Sequence, residues 1–469
     1  GEGTDNARQY SGIYRSDDAG EHWSRQNDSN MNVTWRPFYF ANVVADPRDY
    51  DRVYKGALNL AVSEDGGKVF GGGGGMGGAS YHSDVHALWI DPRNPEWMIM
   101  GNDGGLAVTQ DRGTTWRAVQ NLPVAQFYHV SYDMKTPYHV YGGLQDNGTW
   151  RGPSRRPGGI PNRAWESLNM GDGMWAFVDP NDGDLLYSEY QGGEVSRTDM
   201  RTGEAKSIRP AQREGEPKLR FNWNAPLHVG PASGALYMGA QFLFRSRDKG
   251  DTWERISGDL TTNDPMKQKQ EESGGLSVDN SAAENHCTIV AIGESPKNAD
   301  VVWAGTDDGN LQITRDGGKT WKNAAPLLPG LPAHTWISYV APSSFEEGTC
   351  FVTADGHWSG DFETHVFVTR DYGATWTSLS TAALHGHAHV VRQDTVNPAL
   401  LFLGTESGLF VSLDSGKQWA QLKSGMPPVA VRDLAIHPRE GDLLVATHGR
   451  GIYIFDDLTP LRSLTASVL

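Results

Sequence analysis

The chain has 469 residues, and its 41 Lys and Arg stand against 57 Asp and Glu for a net charge of −16. Binding to phosphate needs clustered basic residues, so this balance excludes nucleic acid and anionic membrane surfaces as main partners. No run approaches the ~20 apolar residues of a membrane-spanning helix, and 56 Gly, 16 Trp and 16 Tyr describe short aromatic strands joined by many turns.

One pattern, Ser/Thr-x-Asp-x-Gly-x-x-Trp, returns along the chain. Its copies are Ser16-Asp18-Gly20-Trp23, Ser63-Asp65-Gly67-Phe70, Thr109-Asp111-Gly113-Trp116, Ser246-Asp248-Gly250-Trp253, Thr314-Asp316-Gly318-Trp321, Thr369-Asp371-Gly373-Trp376 and Ser412-Asp414-Gly416-Trp419. Successive Asp residues are 47, 46, 137, 68, 55 and 43 apart. The gap of 137 holds three periods, with degenerate remnants at Arg151–Ser154 and at Ser196–Asp199 followed by Gly203. A period of this length with short alternating strands is that of a four-stranded propeller blade.

Residues 86–118 show the blade grammar. His86–Pro92 reads as the innermost strand, Trp97–Gly101 as the second, Gly105–Thr109 as the third and Thr115–Val119 as the fourth. The repeated motif falls in the hairpin between the third and fourth strands. There Asp and Ser/Thr bond the turn's own amides, Gly supplies positive φ, and the Trp folds over the turn. About ten units are expected. The first holds only its third and fourth strands (Gly12 to Arg25) and the last only its first three (Val429 to Asp456). The sequence therefore predicts an all-β propeller, either one large ring or a partial propeller over 1–120 followed by a seven-bladed one over 121–469. A chain that starts and stops inside blades either closes a ring by pairing its ends or is a fragment of a longer protein, and the fragment is favoured because joining these ends would supply one third strand too many. Cys287 and Cys350, each in an apolar strand-like run, read as two buried free thiols, with an inter-blade disulfide as the alternative.

The motif, the blade grammar and the closing segment Ala446-Thr-His-Gly-Arg-Gly-Ile-Tyr-Ile-Phe-Asp-Asp-Leu-Thr-Pro460, with Asp91-Pro-Arg-Asn-Pro95, Gly101-Asn-Asp-Gly-Gly105 and Gln145-Asp-Asn-Gly148, resemble bacterial secreted Asp-box (BNR) repeat proteins of the sortilin/VPS10-like, glycosyl-hydrolase-like class. That resemblance implies a propeller that is secreted, periplasmic or on the cell surface. Proteins of this fold include sialidases, two-propeller xyloglucanases and peptide-binding sortilin receptors. The Arg-Ile-Pro motif of sialidases is absent, no cysteine-rich module follows the propeller, and the xyloglucanase catalytic Asp pair finds no match, so no family's catalytic set carries over.

Propeller geometry places a site where the loops leading into the innermost strands meet the turns from second to third strand. Asn102, Gln145, Asn147, Asn222, Asn224, His448 and Arg450 are the candidate ligand-binding residues there. Asp103, Asp146, Asp172, Asp307, Asp308 and Glu406 are the carboxyl candidates for glycoside hydrolysis, which needs two carboxyls, one with a raised pKa. Against that role, Asp-Gly pairs also fix tight turns. Glu189, His286, Asp355 and His357 fall at the same mouth. His82-x-Asp84-x-His86 and His385-x-His387-x-His389 alternate with period two, so an extended chain turns each set to one side. Those residue types suit zinc or another divalent ion, or else line a wet channel mouth. Trp175, Trp223, Trp336 and Trp358 either stack sugars or fill core. The run Gly71–Gly75 with Gly77 and Gly78 reads as a mobile loop over the mouth, since no Lys-Ser/Thr or helix follows to make a phosphate cradle.

Three functions compete. A binding or scaffold propeller for a protein, peptide or glycan, within a larger assembly or alone, needs only the shape and is the expected function. A glycoside hydrolase acting on polysaccharide at the mouth is the alternative, and a metal-dependent hydrolase using the His clusters is the third. No cofactor is required by the first two.

Overall fold

The structure, a computed structural model, describes residues 12–27, 39–40, 42–72, 80–272 and 282–465. The chain is all-β, and its described residues form ten antiparallel sheets, eight of them four-stranded. Among the described residues the α-helix is the short α1, Thr459–Ser463, and no helix is long and apolar enough to cross a membrane.

The chain divides into two compact units, Gly1–Val124 with Lys269–Asn280, and Ala125–Gln268 with Ser281–Leu469. The first contains a two-stranded sheet (Ile13–Arg15, Ser24–Asn27) and two four-stranded ones. These run Val43–Ala45, Val53–Lys55, Ala61–Ser63, Gly71–Gly72, and Val85–Ile90, Met98–Asn102, Gly105–Thr109, Arg117–Ala118. The glycine run expected over the mouth lies, from residue 73 to 79, outside the described residues.

The described residues of the second unit form seven sheets, blades 1 to 7. Their innermost strands are Ser131–Tyr132, Gly173–Asp179, Leu227–Val229, Ile289–Ser295, Trp336–Pro342, Ala388–Gln393 and Val431–Ile436. Blades 1 to 6 have four strands in sequential order and blade 7 has three, adding Leu443–Thr447 and Ile452–Phe455. Period-two patterning is muted because most strands are covered on both faces. Cys350–Asp355, Leu401–Thr405 and Leu443–Thr447 are buried throughout. Apolar clusters lie between neighbouring blades: Trp303 and Ile313 of blade 4 pack with Ile337, Val352 and Phe367 of blade 5, and Phe402 and Leu409 of blade 6 pack with Leu434 and Val445 of blade 7.

The same relation closes the ring. The second-to-third turn of one blade bonds the segment leading into the next, as Gly148 N–H does to Gly171 O (2.8 Å) and Gly192 N–H to Trp223 O (2.9 Å). Phe127 N–H of blade 1 likewise donates to Thr447 O of blade 7 (3.1 Å), and Gly449 N–H to Ala125 O (3.1 Å). The buried Asp433 carboxylate accepts Val130 N–H (3.1 Å), and Tyr138 OH donates to buried Asp442 (2.9 Å). Phe127, Val130, Tyr138 and Val140 pack on Leu444 and Ala446.

The repeated motif is a hairpin clamp. In blade 3, Ser246 OH donates to Asp248 (2.8 Å) and accepts Gly250 N–H (2.8 Å), while Asp248 also accepts Thr252 N–H (2.8 Å). The tryptophan does more than cover its own turn. Trp253, Trp321 and Trp419 send their indole N–H to Ile208 O (2.6 Å), Ile256 O (3.1 Å) and Leu379 O (3.0 Å) of the preceding blade. It therefore ties two sheets together. Cys287 and Cys350 are both free and buried, which removes the disulfide alternative.

Candidate binding site in the seven-bladed unit

The innermost strands of all seven blades enclose a cavity of about 1260 Å³. That exceeds the ~300–1,000 Å³ of ordinary small-ligand pockets. Trp175, Trp223, Trp336 and Trp358 all line it. They come from the innermost strands of blades 2 and 5, the segment leading into blade 3, and the turn after Cys350–Asp355. Trp358 is 76% exposed. Trp223 donates its indole N–H to Tyr128 OH (3.4 Å), and Trp175 stacks on Phe177 at 5.5 Å.

Of the residues singled out in the sequence, Asn222, Asn224, His286, Asp307, Asp355, His357, His389 and His448 share this wall. Asn222 and Asp307 form one network. Asn222 donates to Thr288 OH (3.0 Å) and Asp307 (3.3 Å) and accepts Asn224 N–H (3.1 Å). Asp307 accepts Thr288 N–H (2.8 Å) and OH (2.5 Å). Burial is the main force that pushes the Asp307 carboxyl up to about 7, against the pull of these donors. Asn224 meets His129 across blades (2.9 Å).

Other candidates have structural work and lie outside the cavity wall. Asp172 joins blades 1 and 2: it accepts Gln145 Nε2–H (2.9 Å) and Asp146 N–H (2.7 Å) and donates its own N–H to Gln191 (2.8 Å). Gln145 also accepts Tyr128 OH, and Asn147 donates to Gln145 O (2.9 Å). Asp308, 1% exposed, accepts Thr262 N–H and OH (2.7 Å each) and Thr306 OH (2.5 Å). Glu189 is fully buried, and that burial holds its carboxyl well above the usual range. Arg450 is exposed.

The two histidine runs fare differently. In the first unit, Asp84 takes φ +62°, which breaks the extended alternation that would have aligned His82, Asp84 and His86. His82 Nδ1 lies 3.1 Å from Ser83 O, Asp84 accepts Ser83 OH (2.9 Å), and His86 pairs with Asp103 (3.0 Å). Asn102 closes its own turn by accepting Gly104 N–H (3.0 Å). In the second unit, Gly386 at φ +77° turns the chain just before strand Ala388–Gln393. His385 is therefore left exposed against Phe410, while His387 and His389 point together into the protein.

His387 and His389 meet Glu406, which follows the paired strand Leu401–Thr405 and donates its backbone N–H to His387 O (3.0 Å). Glu406 Oε2 is 3.0 Å from His389 Nε2 and 3.5 Å from His387 Nε2. The bond from His389, with help from Arg432, holds the Glu406 carboxyl down at about 2. Burial lowers His387, and lowers His389 to about 4. Asp355, bonded to His357 (2.6 Å), lies 3.9 Å from His387 Nε2. Arg432 reaches His448 (2.8 Å), His389 Nδ1 (3.3 Å) and Glu406 (3.8 Å). Arg392 and Arg432, inside innermost strands, and Tyr128 and His129, in the segment entering blade 1, also line the wall and were not among the candidates; for the arginines there was a signal. It was a charged residue inside an apolar innermost strand, as in Val390-Val-Arg392 and Val431-Arg432.

No family model matches the chain. A xyloglucanase of a Paenibacillus species is 25% identical over 412 residues, covering 80% of this chain and 33% of that protein. The oligoxyloglucan-reducing end-specific xyloglucanase of Emericella nidulans is 24% identical over 382 residues, covering 74% of this chain and 42% of that protein. The similarity is to xyloglucanases. The chain spans between a third and a half of the length of these curated relatives. Among solved structures, a GH74 enzyme of Niastella koreensis matches at 17% identity and a TM-score of 0.31, covering 96% of this chain and 81% of that one. The computationally designed Ika8 protein matches at 12% and 0.40, covering 87% and 93%. YCF48 from Cyanidioschyzon merolae matches at 11% and 0.48, covering 72% and 97%.

Proposed function

We propose that this chain belongs to an extracellular, glycoside-hydrolase-like propeller protein whose seven-bladed unit takes a polysaccharide chain, of the β-glucan class that includes xyloglucan, into its central cavity. The observation that carries this reading is the wall itself: four tryptophans from blades 2, 3 and 5 stand beside Asn222, Asn224 and Asp307. Flat apolar faces next to amide and carboxyl groups match sugar rings, which present apolar C–H faces and a rim of hydroxyls. The distant similarity to two xyloglucanases supports the substrate class. Asp307 is the general-acid candidate, because a carboxyl protonated near neutral pH can protonate a leaving oxygen.

The test is a panel of xyloglucan, mixed-linkage glucan, xylan and mannan, scored for new reducing ends and for retardation in affinity gels. The expected result is cleavage or retardation by a β-glucan. Trp336→Ala and Trp358→Ala should weaken both, and Asp307→Asn should abolish cleavage while leaving retardation in place. Retardation without cleavage would assign a binding module instead, and neither response would refute the carbohydrate reading.

A further inference from the structure

We propose that His387, His389 and Glu406 form a divalent-metal site, for which zinc is the ion of best-matched chemistry, with its open coordination position on the side of Asp355 and the central cavity. The candidate ligand atoms of these three residues all lie within 4.8 Å of one another. Tetrahedral zinc with bonds of about 2.0–2.1 Å places its ligand atoms roughly 3.3 Å apart. The two distances to Glu406 Oε2, 3.0 and 3.5 Å, bracket that value. Two imidazoles and one carboxylate make a three-ligand set of the kind that leaves a fourth position for water or substrate.

His389, Glu406 and Arg432 share a hydrogen-bond network that His387 does not join. His387 is 8% exposed, and its ring makes no hydrogen bond among the described residues. Its Nε2 looks at two carboxylates, Glu406 at 3.5 Å and Asp355 at 3.9 Å, both beyond good bonding distance. Asp355 and His389 line the cavity, so an ion here borders the space open to a ligand.

Arg432 opposes the ion. Its Nη1 is 3.3 Å from His389 Nδ1, and a metal on Nε2 puts the ring's proton on Nδ1, facing a donor. Metal binding therefore requires Arg432 to withdraw toward His448 Nδ1, which it already bonds at 2.8 Å. This inference does not depend on the saccharide reading, because its test uses the metal alone.

Chelator-treated full chain without an affinity tag should be titrated with zinc chloride by calorimetry, and with cobalt(II) by visible absorbance. One equivalent should bind per chain, and cobalt should give the intense bands of low coordination number. His387→Ala, His389→Ala and Glu406→Gln should each weaken zinc by more than about 100-fold, beyond the 10–100-fold typical of outer-shell changes. Glu406 is 44% exposed, so its Gln variant reports on binding even if the buried histidine variants fold poorly. His385→Ala should bind as the parent does, and Arg432→Met at least as tightly. The proposal is overturned if the parent takes up no stoichiometric zinc, if Glu406→Gln binds unchanged, or if Arg432→Met loses the ion.

Discussion

Tyr138→Phe probes the seam between blades 1 and 7. The hydroxyl it removes donates to Asp442, 304 positions away in sequence, at 2.9 Å. Both side chains are 1% exposed, and burial together with Asp442 raises the phenol far above its usual range, so it is a neutral donor at every relevant pH. A hydrogen bond to a charged group contributes about 1.5–3 kcal/mol. Asp442 would keep Asp457 N–H (3.0 Å) and the Arg155 contact (3.4 Å), which places the loss near the lower end, about 1.5–2 kcal/mol. For a unit of this size that is about 2–3 °C in melting temperature. Calorimetry should be paired with hydrogen exchange. The amides of Phe127 and Val130, which bond across the seam, should exchange faster. Tyr187→Phe is the control: its hydroxyl bonds Asp179 within blade 2 (2.5 Å), so it should lower the melting temperature without touching those two amides. A Tyr138→Phe protein that melts within about 0.5 °C of the parent and keeps full protection at Phe127 and Val130 would refute the closed ring.

Three further outcomes rest on the same fold. Asp307 has a folded pKa raised to about 7, so the native state holds its proton more tightly than the unfolded chain. Its contribution is fully present at acid pH and is lost as pH rises from about 4 through 7; Asp307→Asn should flatten the fall in urea midpoint across that window. Gly318→Ala should cost at least ~1–3 kcal/mol, because φ is +100° and a Cβ would sit 2.6 Å from Ile256 O of the preceding blade; its urea midpoint should drop, and an unchanged midpoint would contradict the tight blade contact. Cys287 and Cys350 are buried, and burial raises both thiols, so a thiol reagent should find no fast-reacting group in native protein and two in denaturant.

The propeller was legible because its signal is local and repeated. Ser/Thr, Asp, Gly and Trp at fixed offsets each satisfy a need of one hairpin, and the strands around Trp89, Trp303 and Phe402 fell where the blade frame put them. What the tryptophans do for the neighbouring blade was hidden, since Trp253 and Ile208 are 45 positions apart and only the radial stacking brings them together. The candidate site was legible as a zone and not as a set. Period two aligned His387 with His389, but one glycine with positive φ removed His385, and one aspartate with positive φ dispersed His82, Asp84 and His86. Asp172 and Asp308 looked available in sequence because nothing there shows the amides they bond across blades. Arg432 was missed because it sits in an innermost strand rather than in a mouth loop.

The central claim, that the cavity of the seven-bladed unit holds a sugar chain between its tryptophans, is tested most directly by a crystal structure of the chain soaked with a xyloglucan oligosaccharide. The account predicts glucosyl rings stacked on Trp336 or Trp358 with hydroxyls bonded to Asn222 or Asn224. An oligosaccharide bound elsewhere on the protein, with those four side chains untouched at saturating ligand, would contradict it.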